Sequence, residues 1–143
     1  MSDKGSKETW VLLVDDDADD RYFLSWALQN AGSPLRIIHE AQDGGRAIGY
    51  LSGEGQFSDR EKFPLPHVLL LDLRMSVVGG FEVLHWLEKN PVSQLKIAVL
   101  TGSTFHVDRH RASRMGVRYY YLKPIGVNGW SELVQAMERD MLE

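Results

Sequence analysis

The sequence VLLVDD at residues 11–16 ends an apolar run in two adjacent acids, and VLLLD at residues 68–72 ends a second run in one acid. Each run has the length and composition of a strand buried on both faces of a parallel sheet. In open sheets of this kind, side chains that follow the strands line the crevice where ligands bind. The two runs therefore predict an α/β fold with Asp15, Asp16 and Asp72 at one edge of the sheet.

Strand-like and helix-like segments alternate along the chain, which predicts repeated βα units in one domain. Strands are predicted at residues 9–14, 35–40, 67–71, 96–100 and 117–121. Helices are predicted at about residues 19–30, 45–51, 81–89, 105–115 and 129–141. Gly32 and Gly116 are expected to end the first and fourth helices in a left-handed conformation.

Two segments fall outside this pattern. Residues 1–8 predict a flexible tail before a single domain at residues 9–143. Residues 52–66 are polar, rich in glycine and closed by two prolines, which predicts a long loop. Such a loop either shapes a partner surface or only connects its neighbours.

Composition excludes several classes of function. A net charge of -4 gives no support for a nucleic-acid-binding surface, and no apolar stretch reaches membrane-spanning length. The start of the chain has no apolar signal region, so we expect a cytoplasmic protein. The absence of cysteine rules out disulfides and thiol chemistry.

Three clustered carboxylates repel one another unless a cation lies between them. Oxygen ligands without cysteine or a histidine cluster favour Mg²⁺, which commonly shares its coordination with a phosphate. The alternative is that the pair Asp15 and Asp16 only begins a helix, as we expect of the acids at positions 17, 19 and 20. Asp72 favours the metal site because it ends a different strand.

Two more polar residues follow predicted strands. Thr101 comes directly after IAVL at residues 97–100, and Lys123 follows YYYL at residues 119–122. A hydroxyl and an ammonium beside a carboxylate would offset the charge of a phosphoryl group on it. Alternatively, Thr101 caps the next helix and Lys123 is an ordinary surface charge.

The motifs singled out above are Asp15-Asp16, Asp72, Thr101 and Lys123-Pro124. In their order and spacing, the chain resembles the receiver domain of bacterial response regulators. The resemblance spans residues 11–141 and implies two-component signalling. It also implies a flavodoxin-like, doubly wound, five-stranded parallel sheet of order 2-1-3-4-5, with helices on both faces.

The resemblance implies a role for each site residue. Asp72 would be the phosphoacceptor, taking a phosphoryl group from a phosphohistidine of a sensor kinase or from a small donor. Asp16 and Asp72 would bind Mg²⁺ directly, Asp15 through water, and Arg74 through its backbone carbonyl. Lys123 would pair first with Asp72 and then with the phosphoryl oxygens. An ionised carboxylate needs no base, so the domain would assist by positioning and charge neutralisation and would not be an enzyme.

The resemblance also implies a conformational switch that consists of a hydroxyl side chain and an aromatic ring. Phosphorylated Asp72 would draw in the Thr101 hydroxyl and open room for a ring on the fifth strand. Its position relative to the family pattern identifies that ring as Tyr120. A shift of one residue in the register of the strand would place Tyr119 or Tyr121 there instead.

Several positions depart from the family pattern. Ser76 stands where the family usually has a proline, and Gly79-Gly80 stands where it usually has an Asp-Gly turn. These differences put the rigidity of the loop after Asp72 in question. Arg74 and Ser103 stand at positions that influence phosphate lifetime in the family, and the bulky Arg74 is expected to hinder the hydrolytic water.

The resemblance also suggests partners. The chain is similar to small, stand-alone regulators paired with phytochrome-type histidine kinases, which would act through protein contacts and not through DNA. Arginines on or beside the fourth helix and fifth strand would pair with acids such as Glu138 or Asp140 of a second copy, or would form a solvated basic face. These are Arg109, Arg111, Arg114 and Arg118.

Two other classes remain open. A receiver that is not phosphorylated would keep the fold as a protein-binding module, and the altered loop at Ser76 favours it. A phosphatase with an aspartyl nucleophile would need an acid two residues after Asp72, where this chain has Arg74.

Overall fold

The computed structural model describes residues 7–142. The strands are β1 (Thr9–Val14), β2 (Leu35–Ala41), β3 (Val68–Leu71), β4 (Lys96–Thr101) and β5 (Tyr119–Leu122). The helices are α1 (Ala18–Asn30), α2 (Gly44–Ser52), α3 (Gly80–Lys89), α4 (His106–Arg114) and α5 (Val127–Met141). A short 3-10 helix also spans Gly55–Ser58.

All five strands form one parallel sheet of order β2-β1-β3-β4-β5, which confirms the predicted fold class and strand order. Side chains alternate between the two faces of the sheet, so each strand contributes to two hydrophobic cores. Leu13, Leu70 and Leu100 pack with α1 and α5 on one face, and Leu12 and Leu71 pack with α2 and α3 on the other. The near-continuous apolar runs of the central strands follow from this burial on both sides.

Local sequence signals set most helix ends. The Asp17 carboxylate caps α1 by accepting hydrogen bonds from the N–H groups of Asp19 and Asp20. Gly32 and Gly116 have positive φ angles of 59° and 97° after α1 and α4, as predicted.

Two predicted boundaries are wrong by two residues. β5 begins at Tyr119 and not at residue 117, because the Val117 N–H donates to the Ala112 carbonyl and still belongs to the turn after α4. α5 begins at Val127 and not at residue 129, directly after Gly126, whose φ is 87°.

The segment predicted as a loop at residues 52–66 is fixed to the domain along its length. Phe57 and Phe63 pack against each other and against Tyr50 of α2, with ring centroids 5.1 to 6.3 Å apart. The Arg60 guanidinium donates to the carbonyls of Tyr50 and Leu51 at 2.9 Å and so satisfies the end of α2. The segment is therefore an anchored connection with its own aromatic core.

The predicted tail at residues 1–8 lies mostly outside the described residues. Of its last two residues, Glu8 forms an ion pair with Arg36 of β2 at 3.2 Å. No helix within residues 7–142 combines the length and apolar character needed to cross a membrane.

The loop between β3 and α3 is held by a close backbone approach at Gly80. A Cβ atom at Gly80 would lie against the Asp72 carbonyl oxygen and 2.7 Å from the Leu73 Cα. The Gly80 N–H also donates to the Leu73 carbonyl at 3.1 Å. Only a residue without a side chain permits this path.

We expect Gly80→Ala to lower the free energy of unfolding by about 1–3 kcal/mol, because the added methyl must displace backbone atoms. Urea denaturation measures this change. Gly49→Ala in α2 is the matched control, since nothing lies within 4 Å of its Cβ position. The control should gain about 0.5–1 kcal/mol from improved helix propensity. A Gly80→Ala protein as stable as the wild type would contradict the close approach.

Candidate functional site

The strand register brings the predicted site residues together. Val14 of β1 lies beside Leu71 of β3, and the Asp72 N–H donates to the Val14 carbonyl at 2.9 Å. The residues after these strands, Asp15 and Asp72, are therefore neighbours at the carboxyl edge of the sheet. The Lys123 N–H donates to the Thr101 carbonyl at 2.8 Å. The ends of β4 and β5 therefore lie at the same edge of the sheet as Asp15 and Asp72.

Asp15, Asp16 and Asp72 form one carboxylate cluster. Each offers an oxygen within 4.8 Å of the oxygens of the others. Asp15 and Asp72 are buried, whereas Asp16 is exposed. An all-oxygen donor set with this much negative charge fits a hard divalent cation such as Mg²⁺. The alternative that the pair only begins α1 is wrong, because Asp17 caps that helix.

Lys123 neutralises part of this charge from the opposite side. Its ammonium lies 2.9 Å from the Asp15 Oδ2, 2.8 Å from the Asp20 Oδ2 and 3.1 Å from the Asp72 Oδ2. Only 16% of the Lys123 side chain is exposed. The alternative of an ordinary surface lysine is therefore wrong, and the side chain is held at the carboxylate cluster.

Burial and charge act in opposite directions on the ionisation of this site. Burial raises the pKa of Asp15 to about 6, although hydrogen bonds from the Asp17 N–H and from Lys123 lower it. For Lys123, burial favours the neutral form, but hydrogen bonds to Asp20 and Asp15 outweigh it and raise the pKa above the usual range. Lys123 therefore remains a cation at neutral pH.

Sequence reasoning missed the contact made by Asp20. This residue lies in the first turn of α1, where it was expected only to favour the helix start. Its carboxylate instead reaches Lys123 on the other side of the site. No local pattern distinguishes Asp20 from Asp19, because the distinction depends on which face of α1 turns towards the cluster.

Asp16 is oriented by the loop that follows Asp72. Its Oδ2 accepts a hydrogen bond from the Ser76 N–H at 3.1 Å and another from the Ser76 hydroxyl at 3.3 Å. A proline at this position could donate neither bond. The departure at Ser76 therefore gives Asp16 two hydrogen bonds, while the neighbouring Gly79 N–H bonds the Glu82 carboxylate at 2.8 Å.

Thr101 and Ser103 line the opposite wall. Thr101 is fully buried at the end of β4, and its hydroxyl accepts a hydrogen bond from the Ser103 N–H at 3.3 Å. The alternative that Thr101 caps the next helix is wrong, because α4 begins after Phe105.

The alternating faces of β5 separate the three adjacent tyrosines. Tyr119 and Tyr121 pack with the core on the α1 and α5 side, whereas Tyr120 packs with the core on the α3 and α4 side. The Tyr120 hydroxyl donates to the Ser103 carbonyl at 3.4 Å. Of the three rings, Tyr120 is therefore the one that contacts the loop between β4 and α4.

Arg74 makes a contact that the sequence did not suggest. Its guanidinium donates to both oxygens of Asp108 in α4, at 2.7 to 3.0 Å, and the Ser103 hydroxyl donates to the same carboxylate at 2.6 Å. Burial opposes ionisation of Asp108, but these bonds and the charge of Arg74 prevail and lower its pKa. The sequence offered no signal for this pair, because the helix dipole already accounts for an acid such as Asp108 in the first turn of α4.

An open cleft of about 520 Å³ lies beside the loop that follows Asp72. Asp16, Asp72, Arg74, Thr101 and Lys123 all line it. Asp72 thus lies at the floor of a cleft that a phosphate-sized group can enter. His106 and His110 are exposed on α4 and do not line this cleft.

Comparisons with known proteins agree with this geometry. The response regulator Rcp1 of Synechocystis is 29% identical over the whole chain and 95% of its own length. A crystal structure of the phosphorylated cyanobacterial phytochrome response regulator RcpA is 26% identical, covers 95% of both chains and superposes with a TM-score of 0.84. The Mn²⁺-bound structure of Rcp1 is 28% identical, covers 94% of this chain and 95% of its own, and has a TM-score of 0.77.

These relatives confirm the predicted similarity to phytochrome response regulators. The family model for the response regulator receiver domain matches residues 11–138, which include every strand except the first two residues of β1. The chain therefore belongs to the response regulator receiver domain family.

Proposed function

We propose that this receiver domain accepts a phosphoryl group on Asp72 in a Mg²⁺-dependent reaction and thereby changes its contacts with other proteins. The observation that carries the proposal is the Asp72 carboxylate itself. It is buried at the floor of the cleft, beside Asp15 and Asp16 and 3.1 Å from the Lys123 ammonium. A nucleophilic carboxylate with a fixed cation and a metal site beside it matches the needs of phosphoryl transfer.

The residues of the chain divide the chemistry between them. Asp72 attacks the phosphorus as an ionised carboxylate, so that its new O–P bond forms as the N–P bond of the donor phosphohistidine, or the O–P bond of acetyl phosphate, breaks and the imidazole or acetate leaves. Lys123 offsets the charge that the phosphoryl group brings. Asp16 and Asp72 would hold Mg²⁺ directly, Asp15 would hold it through water, and the Arg74 carbonyl would add an oxygen. Bound there, Mg²⁺ supplies charge neutralisation for the phosphoryl oxygens. This role is that of a phosphoacceptor and not of an enzyme with a separate substrate.

The phosphoryl donor in this proposal is a sensor histidine kinase of the phytochrome type. Support comes from the relatives, since RcpA is described as a cyanobacterial phytochrome response regulator. A bacteriophytochrome response regulator of known structure, AtBRR, is also 29% identical and covers 90% of this chain. A cytoplasmic location remains a prediction, as does the downstream protein partner.

Thr101 and Tyr120 form the proposed switch. The Thr101 hydroxyl lies in the cleft wall, and the Tyr120 hydroxyl contacts the Ser103 carbonyl in the same loop. A dianion on Asp72 would draw the Thr101 hydroxyl towards it and displace this loop. Tyr120 would then change its packing against α4.

Arg74 and Ser103 are proposed to set the phosphate lifetime. Both line the cleft beside Asp72, where a hydrolytic water must approach. An unchanged phosphate lifetime in Arg74→Ala would contradict this role for Arg74.

A non-phosphorylated receiver is the alternative. The altered loop at Ser76 was the feature that favoured it, but Ser76 donates two hydrogen bonds to Asp16 and so supports the carboxylate cluster. Phosphorylation of Asp72 is therefore the function that the geometry favours.

Incubation with acetyl phosphate and Mg²⁺ should add the mass of one phosphoryl group to the wild type. The Asp72→Asn variant should gain none, because an amide is not a nucleophile for phosphorus, and metal-stripped protein should gain none either. Intact-mass spectrometry measures the gain. The absence of any gain in the wild type would support the binding-module alternative.

Ser76→Ala should weaken Mg²⁺ binding by up to about tenfold, because it removes one hydrogen bond that orients the Asp16 carboxylate. Isothermal titration calorimetry with Mg²⁺ measures the dissociation constant. Ser52→Ala is the control, since the Ser52 hydroxyl bonds only within α2, to the Gly49 carbonyl. Equal dissociation constants for the two variants would show that Ser76 does not support the metal site.

A homodimer through α4, β5 and α5 is also proposed. Exposed arginines on one copy would face acids such as Glu138 and Asp140 on the other. In support, Arg109, Arg111, Arg114 and Arg118 are all exposed. Arg114→Glu should lower the dimer fraction of the phosphorylated protein in sedimentation velocity, whereas Arg46→Glu on α2 should leave it unchanged. A monomer in both states would refute the dimer.

A further inference from the structure

Helix α4 is attached to the domain by very few buried side chains. Asp108 and Ala112 are its buried residues, and Ala112 contributes only a methyl group. The residue before the helix, Phe105, makes no side-chain cap. The Arg109 and Arg111 guanidinium groups of α4 also contact the rings of Tyr120 and Phe81. The bidentate ion pair between Asp108 and Arg74 is the contact that holds α4 against the loop after Asp72.

The two partners of this ion pair differ sharply in exposure. The Asp108 side chain is 5% exposed, whereas the Arg74 side chain is 60% exposed. A buried carboxylate needs its cation, because an unpaired buried charge is strongly unfavourable. The Arg74 side chain lies largely in solvent, so its exchange of Asp108 for another anionic partner costs little desolvation of the guanidinium.

Arg74 is also within reach of the phosphorylation site. Its backbone N–H donates to the Asp72 Oδ1 at 3.2 Å, and its side chain lines the same cleft as Asp72 and Lys123. A phosphoryl group brings a charge of about -2 and three acceptor oxygens. Arginine binds such a group in the same bidentate manner in which it binds a carboxylate.

From this geometry we infer that Asp108 is a restraint on α4 that phosphorylation releases. The inference rests on the proposed phosphorylation of Asp72. The phosphoryl oxygens compete with Asp108 for the Arg74 guanidinium. Once Arg74 turns to them, the Asp108 carboxylate must become hydrated, and hydration requires the start of α4 to move away from the domain.

Ser103 couples this restraint to the loop between β4 and α4. Its hydroxyl donates a hydrogen bond to the Asp108 Oδ2 at 2.6 Å, and its carbonyl accepts a hydrogen bond from the Tyr120 hydroxyl. Movement of Asp108 therefore disturbs the contact of Tyr120 as well. The restraint acts on the face of the domain formed by α4 and β5.

Hydrogen–deuterium exchange of peptides within residues 103–114 tests the restraint directly. Asp108→Asn keeps the size of the side chain and removes its charge. In the unphosphorylated protein this variant should exchange about tenfold faster in α4, as expected for loss of a hydrogen-bonded ion pair. Arg74→Gln removes the pair from the other side and should give the same increase, and the double variant should add nothing further.

Glu132→Gln is the matched control. It also replaces a carboxylate by an amide on a helix surface, at an exposed position of α5. Its α4 exchange should equal that of the wild type. Unchanged exchange of the central strands in every variant shows that the domain remains folded.

Phosphorylation completes the test. Wild-type protein treated with acetyl phosphate and Mg²⁺ should show the same faster exchange in α4, and phosphorylated Asp108→Asn should show no further increase. Intact-mass spectrometry of the same samples measures whether the protein carries the phosphoryl group.

Two results would overturn the inference. One is an α4 that stays protected in wild-type protein whose mass shows the phosphoryl group. The other is normal protection of α4 in unphosphorylated Asp108→Asn. Absence of the mass gain would instead refute the proposed function, and with it the competition for Arg74, independently of the exchange result.

Discussion

An imbalance of charge at one edge of the sheet is the constraint on which the rest of this structure depends. One ammonium, that of Lys123, faces carboxylates from Asp15, Asp20 and Asp72, and Asp16 lies in the same cluster. Such a cluster is stable only where a cation is fixed close to it. The parallel sheet meets this need because the ends of β1, β3 and β5 all point to the same edge.

The loop after Asp72 connects this charge cluster to α4. Gly80 permits the close backbone approach that holds the loop, and Ser76 orients Asp16. Arg74 extends from the same loop to Asp108 in α4. Ser76, which stands where the family usually has a proline, is thus one of the residues of this loop that make specific contacts, together with Arg74.

Much of the site was predictable because strand ends are local features. The acids at positions 15, 16 and 72 and the polar residues at 101 and 123 each follow an apolar run, and parallel strands must end at a common edge. Asp20 and Asp108 were not predictable in this way. Each is an acid in the first turn of a helix, where the dipole already accounts for it.

The sequence by itself determined the fold class and the set of polar residues that follow the strands, because hydrophobic periodicity is local to each segment. The resemblance to the family supplied the strand order 2-1-3-4-5, and Asp72 as the expected phosphoacceptor comes from the same resemblance. Only the tertiary structure decided that Tyr120 contacts the β4–α4 loop, since a one-residue register separates it from its neighbours. It alone paired Arg74 with Asp108, 34 residues further along the chain. Such pairings depend on how helices are oriented against the sheet, and no local pattern encodes that orientation.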